Sequence, residues 1–288
     1  MTQEAGRSEL AELAAQHGLV RVGGRPSLPT YVRTIWERRA FLWTMASSRS
    51  YSKNQNNYLG QLWAVLSPMT LAGVYYLVFA VMLDTTGGIE NFVAFLVIGI
   101  FIFQAIATTI TSGSTAITSN TNLVRALEFP RAILPISVAI SEVLNLLPAL
   151  GVMIVIVLLS GEPVSWYWLL LPVATLLLLL FSSGFAMIAA RLVVGARDLR
   201  NLIPVAVRLL RYVSGVFFLI SESGLREPFI SVMEYQPVAL YLTLIRSCVM
   251  AEFPPEPELW LWGTAWALAT VVIGFLVFWS AEDRYGRD

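Results

Sequence analysis

Long apolar runs separated by short charged segments dominate the chain. A helix needs roughly 20 apolar residues to cross a bilayer core. No charge occurs between Gln61 and Asp84, and Leu62–Leu83 reads as a first span. None occurs between Glu90 and Arg125 either, and Phe92 to about Ile110 reads as a second, its small polar continuation Thr111–Ser114 leaving the lipid or lining a wet interior. Ile133 to about Leu159 is a third, interrupted by Glu142. Trp166–Ala190 is a fourth, Pro204 to about Ile220 a weaker fifth carrying Arg208 and Arg211, and Leu259–Ala281 a sixth. The expected fold is an all-α membrane protein of six transmembrane helices. Residues 58–288 form the membrane domain, behind a polar segment, 1–30, and an amphipathic one, 31–57.

Shorter pieces break this rhythm. Tyr31–Ser48 places Val32, Ile35, Trp36, Leu42, Trp43 and Ala46 on one helical stripe. Arg33 lies off the stripe, and Arg39 would have to snorkel beside it. A helix of Trp and Arg suits the membrane interface, where it would anchor, gate or dock a partner. Asn120–Pro135 is charged and lies between two spans; Asn120 or Thr121 can cap a short helix there and Pro130 would end it. Tyr235–Ile245, with Phe229 and Ile230, is about half a span long and reads as a re-entrant outer region, about 222–255. Such backbone at depth must be shielded by protein or water.

Composition and charge narrow the class. Hydrophobic residues make up 57% of the 288, and charged ones 13%, about half the usual share. That excludes an ordinary soluble globule. With 19 basic and 19 acidic residues there is no global field for nucleic acid. Of the basic residues, seventeen fall in the N-terminal segment, the 2–3 and 4–5 connections and the tail; only Arg226 and Arg246 fall in the other loops. The positive-inside rule puts both termini in the cytoplasm, in agreement with six crossings. No apolar leader precedes the first span, which is expected to act as its own insertion signal.

Candidate chemistry is sparse. One Cys and one His exclude an intrachain disulfide and multi-cysteine metal sites and argue against histidine chemistry; no metal site is expected. The single Lys, Lys53, follows Ser52, so no Walker A loop exists in this sequence. Glu142 lies near mid-bilayer, where a carboxylate is costly; it either pairs with Arg208 or Arg211 or belongs to a transport path. Tyr75, Phe79, Tyr212 and Phe217, inside spans or near their outer ends, could stack on sugar rings or simply pack. Trp166 sits where an outer aromatic belt is expected.

Four motifs carry a resemblance. Tyr51–Pro68, with its Leu59-Gly60-Gln61-Leu62-Trp63 core, is similar to the opening of the first span in permease subunits of ABC exporters of polysaccharide and teichoic acid. Asn122–Arg125 with Phe129–Pro135, Arg197-Asp198, and Tyr235-Gln236-Pro237 followed by Arg246 resemble three further family motifs in the same order. The long polar N-terminus and the use of Arg for Lys look most similar to the exporter of lipid-linked cell-wall galactan. The resemblance implies a plasma-membrane homodimer bound by two ATP-binding cassette subunits, with ATP and Mg on those partners and no cofactor on this chain. It implies docking of those subunits on a coupling helix, about 119–130, through Asn122, Arg125, Glu128, Phe129, Pro130 and Arg131. A gate helix would carry Arg33, Trp36, Arg39 and Trp43, and an undecaprenyl-linked glycan would thread a channel lined by Tyr75, Phe79, Tyr212, Phe217 and Trp166. Ser214-Gly215-Val216 departs from the family pattern, as do Arg208 and Arg211. A drug or small-lipid ABC permease, an ion-coupled secondary transporter using Glu142 and a membrane glycosyltransferase stand as rival readings.

Overall fold

The structure, a computed structural model, describes residues 26–53, 62–83, 88–222, 224, 226–282 and 285. Most of the N-terminal polar segment, the first-motif stretch 54–61 and the loop carboxylate Asp84 lie outside them. Among the described residues the regular elements are helical and no strand occurs. In chain order they are α1 (Leu28–Glu37), α2 (Arg39–Ser52), α3 (Trp63–Tyr76, continued by a π-helical Leu77–Met82), α4 (Phe92–Ser114) and α5 (Thr121–Ala126). Then follow α6 (Ile133–Leu159), α7 (Leu171–Gly195, after a 3-10 turn at Trp166–Leu170), α8 (Leu199–Val213), α9 (Glu227–Tyr235), α10 (Pro237–Val249) and α11 (Pro257–Ser280).

Five of these helical stretches are long and apolar enough to cross a membrane: Val65–Met82, Phe92–Ser114, Ile133–Leu159, Trp166–Gly195 and Pro257–Ser280. The chain is a multi-pass membrane protein. The fifth expected span is drawn differently: α8 begins at Leu199 and stops at Val213, so 15 residues rise only about 22 Å. Ser214 ends it, Gly215 takes φ +65°, and Val216–Ile220 continues without helix. α4 runs on through Thr111–Ser114, where Gly113 lies against Ala186. Asn120 caps nothing with its side chain, which donates to Ala116 O, and Thr121 donates back to Thr118 O. α5 instead grows from a 3-10 turn, Thr118–Asn120, at the foot of α4.

The centre of the bundle is α4, with α6, α7, α8 and α10 packed around it. Its Phe95, Ile98, Ile102 and Ile106 recur about once per helical turn and are fully buried. α11 lies along α7, and its buried stripe (Gly263, Ala267, Thr270, Gly274, Phe278) is small at every position but the last. A Cβ on Gly184 would overlap the backbone at Thr270, and one on Gly274 would overlap the Gly184 carbonyl. Lipid removes the hydrophobic drive between helices, so such close backbone approach is what holds them together.

A second cluster closes one end of the bundle. Tyr31 from α1, Val124 from α5, Phe129, Ile133 from α6, and Phe278 and Tyr285 around the end of α11 share it. The two ends of the described chain therefore lie at the same end of the bundle.

Candidate functional site

The segment after α4 is a short tethered knob. Asn122, Arg125, Leu127 and Glu128 are exposed, and Leu127 leaves half of its surface open (50%). Val124, Phe129 and Pro130 are buried. Phe129 meets Phe41 edge-on, centroids 5.3 Å apart. Arg131 gives its backbone N–H to Glu282 Oε1 (3.0 Å) and its guanidinium to the Glu282 carbonyl (2.8 Å). Of the six residues expected to dock a partner, three thus face outward and three anchor the knob from below. Tyr31 completes the anchor by donating to Glu282 Oε2 at 2.7 Å while accepting the Ala132 N–H at 3.2 Å. Burial first, and Glu282 beside it second, push the Tyr31 phenol far above its usual range, so it holds its proton as the donor this network needs.

The amphipathic segment is two helices rather than one. The chain breaks at Arg38, whose N–H still bonds Thr34 O, and the break re-phases the apolar stripe. Trp36 (70%), Val32 and Trp43 point outward, while Phe41, Leu42 and Met45 pack against the end cluster. Arg33 pairs with Glu37 at 2.8 Å, and Arg39 lies over the Trp36 ring at 5.6 Å. α2 packs along α6: Phe41 starts beside Phe129, and Ser50 donates to Asn145 Oδ1 at 2.7 Å. Asn145 is about 18 Å along α6, so α2 is not confined to the rim.

Lys53, just past α2, meets Glu142 at 2.8 and 2.9 Å, donating to both carboxylate oxygens. The intramembrane carboxylate therefore pairs with the lone lysine and not with Arg208 or Arg211. Its side chain is 9% exposed against 40% for Lys53. The pair borders a cavity of about 380 Å3 lined also by Trp63, Ser67, Gln104, Thr108 and Asn145. Arg208 is exposed, and Arg211 reaches Gln104 Oε1 at 3.3 Å and covers the Phe103 ring at 5.0 Å.

Four of the five aromatic path residues come together. Tyr75 stacks on Phe217 at 3.9 Å, Phe79 lies 6.1 Å from Tyr75 and 6.2 Å from Phe217, and Tyr212 lies 5.8 Å from Phe217. The Tyr75 and Tyr212 hydroxyls are 3.4 Å apart. Trp166 is not among them. It opens the 3-10 turn before α7 and is 85% exposed.

Residues 41–250 match the family described as ABC-2 type transporter. The chain belongs to that family. The O-antigen export system permease protein RfbA of Myxococcus xanthus is 25% identical over 254 residues, 88% of this chain and 94% of the relative. A Klebsiella pneumoniae protein of the same name is 26% identical over 198 residues, 68% of this chain and 74% of the relative. In this ABC-2 transporter chain the sequence reading missed three residues. Leu127 is an exposed apolar tip between charges, a signal legible beside Arg125 and Glu128. Glu282 anchors the knob from more than 150 residues away, with no local signal. Lys53 stands out in the sequence as the only lysine, but nothing local marks it as the partner of Glu142.

Proposed function

We propose that this chain is the permease subunit of an ATP-driven exporter that passes a lipid-linked polysaccharide across the plasma membrane. The observation that carries the reading is the near full-length likeness to a permease named for O-antigen export. Two copies would form the conduit, with ATP and Mg bound by two separate cassette subunits below; the lack of a Walker A loop in this sequence supports that division. Both termini are cytoplasmic in this reading, and α8 with the Ser214–Ile220 segment supplies the fifth crossing in chain order, which brings the total to six. Support comes from contacts. α8 follows the cytoplasmic end of α7, and its successors Gly215 and Val216 accept hydrogen bonds from Arg246, which also bonds Phe95 O near the far end of α4. The short α9 and α10, broken at Gln236, are the re-entrant outer pair. Undecaprenyl-linked galactan is the proposed cargo, on the polar N-terminus and the arginine-rich composition.

The exposed Asn122, Arg125, Leu127 and Glu128 form the proposed docking tip, and Phe129, Pro130 and Arg131 its mount. The Tyr75–Phe79–Tyr212–Phe217 cluster is the proposed glycan surface, and α1–α2 the gate. The Lys53 pair leaves Glu142 neutralised in place, which supports a structural role over ion coupling. Reconstituted with its ATPase partner, the chain should export lipid-linked glycan only with ATP. Export by the chain alone would sink the reading. Leu127→Asp or Glu128→Arg should lower ATP-coupled export about tenfold while the dimer stays intact, a loss of about 1.4 kcal/mol of coupling. Unchanged export in both would remove the docking claim. Arg131→Glu is a poorer probe, because it also cuts the tether to Glu282.

A further inference from the structure

We infer that the arginine face of α8 binds the phosphate headgroup of a lipid-linked cargo and guides it into the membrane. Arg200, Arg208 and Arg211 stand at i, i+8 and i+11, with Pro204 at i+4 between them, so they share one helical face. Arg197 lies in the turn just before the helix. From Arg200 to Arg211 the face climbs about 16 Å. It does not lie at the rim: Arg211 contacts Phe103 and Gln104, and Gln104 is about 18 Å along α4. Among the described residues no carboxylate pairs with any of the four arginines, and Arg200 and Arg208 are exposed. An arginine at membrane depth without an anion is costly, so the face is built for an anion that arrives from outside the protomer.

The exposed apolar residues of the same helix say what kind of anion. Leu202, Val205, Leu209 and Val213 are exposed, and of the arginines Arg208 stands at their edge, three residues from Val205. They recur at i, i+3, i+7 and i+11 and form an apolar stripe that Arg208 borders. A ligand that satisfies the arginines and this stripe has a phosphate at one end and a long hydrocarbon tail. Guanidinium groups take phosphate oxygens in pairs, while the tail stays in lipid along the apolar stripe. Successive arginines let the headgroup move along the helix axis without being left unpaired. Gln104 then hands the route on, since it touches Arg211 and lines the polar cavity of Lys53, Ser67 and Thr108.

This rests on the export reading for the identity of the cargo, and its test scores binding rather than transport. The full chain in nanodiscs is titrated with undecaprenyl diphosphate, with undecaprenol, and with phosphatidylglycerol as competitor, and read by native mass spectrometry. Arg208→Gln/Arg211→Gln should weaken diphosphate binding about tenfold or more and leave undecaprenol binding unchanged. Arg208→Lys/Arg211→Lys should recover most of it, and Arg226→Gln, on an outer loop, should not alter it. Diphosphate binding within about twofold of wild type in a monodisperse Gln variant overturns the inference, and so does equal displacement by phosphatidylglycerol. Loss of the dimer in place of loss of lipid overturns it too, because the arginines would then be pairing with a second copy. A chain that never exports yet keeps arginine-dependent binding would overturn the export reading alone. Normal export by the Gln variant would overturn this one alone.

Discussion

α3 and α4 are both apolar enough to span a membrane, yet most of the α4 span is buried within the chain and very little of the α3 span. Hydrophobicity does not separate them; neighbours do. α4 is enclosed by α3, α6, α7, α8 and α10, whereas α3 touches α4 and the edge of α6 and turns Trp63, Leu66, Met69, Val74, Leu77 and Val81 outward. In lipid an exposed apolar face costs nothing, so α3 is free to meet lipid or another chain. Polar and aromatic features adjoin it: the Tyr75–Tyr212 contact, and the cavity that Trp63, Ser67 and Pro68 line together with Gln104, which Arg211 of α8 touches. Stability is concentrated in α4, α7 and α11, and the candidate chemistry on the α3–α8 side.

The strongest way to break this division is at the α7–α11 crossing. Gly184→Val would drive a side chain into the backbone at Thr270, and neither backbone can retreat without opening the α7–α11 seam. The expected cost is about 3 kcal/mol, read as a lost folding transition or a much lower thermal midpoint in detergent. Next comes Arg246→Gln. The guanidinium binds the carbonyls of Phe95, Gly215 and Val216 and lies 3.4 Å from the Phe95 ring centroid. A shorter amide cannot reach all three, so buried acceptors are left unpaired, at about 2 kcal/mol. A negligible change in either variant would mean that the α4–α7–α11 side is not where the protomer is held.

Much of the bundle was legible because five apolar runs are long and uncharged. Ile133–Leu159 is a helix with the limits read from the sequence, and the others differ by a few residues. α8 was misplaced for a physical reason. Its apolar residues recur at helical spacing between arginines, so the helix is continuous while the uncharged run is not. The sequence could nominate Tyr75, Phe79, Tyr212 and Phe217 as aromatic, but only folding shows that they meet and that Trp166 does not join them. The partner of Glu142 was hidden for a similar reason. Lys53 is 89 residues away, and the choice among distant cations is set by how α2 packs on α6. The knob shows the reverse: the sequence offers six residues as one docking surface, yet Asn122, Arg125 and Glu128 are exposed while Phe129 and Pro130 are buried and Arg131 is tethered to Glu282.

The ion pair between α2 and α6 sharpens the comparison on a smaller scale, because its two ends differ in burial. Lys53→Gln leaves a nearly buried carboxylate without its cation and should cost about 2 kcal/mol, discounted from the fully buried case for the exposure of the lysine. Glu142→Gln leaves a lysine that is 40% exposed and can turn to water, so about 1 kcal/mol is expected. Chemical denaturation of the two variants should therefore rank lysine loss above carboxylate loss. The opposite order would mean that Glu142 is solvated in the protein.

The smallest expected effect is the most direct test of the exposed side. Gly73 lies in the middle of α3, and a Cβ there meets nothing within 4 Å. Gly73→Val should change protomer stability by less than about 0.5 kcal/mol, against about 3 kcal/mol for the same substitution at Gly184. Both are glycines inside apolar helices, and the substitution adds the same isopropyl group, so helix propensity and lipid solubility are matched. What differs is whether another backbone lies against the position. The measurement is the thermal midpoint of each variant at protein concentrations low enough to prevent association between copies. A loss at Gly73 approaching that at Gly184 would place a close neighbour on α3 within the protomer, and the division between a packed side and an open side would fail.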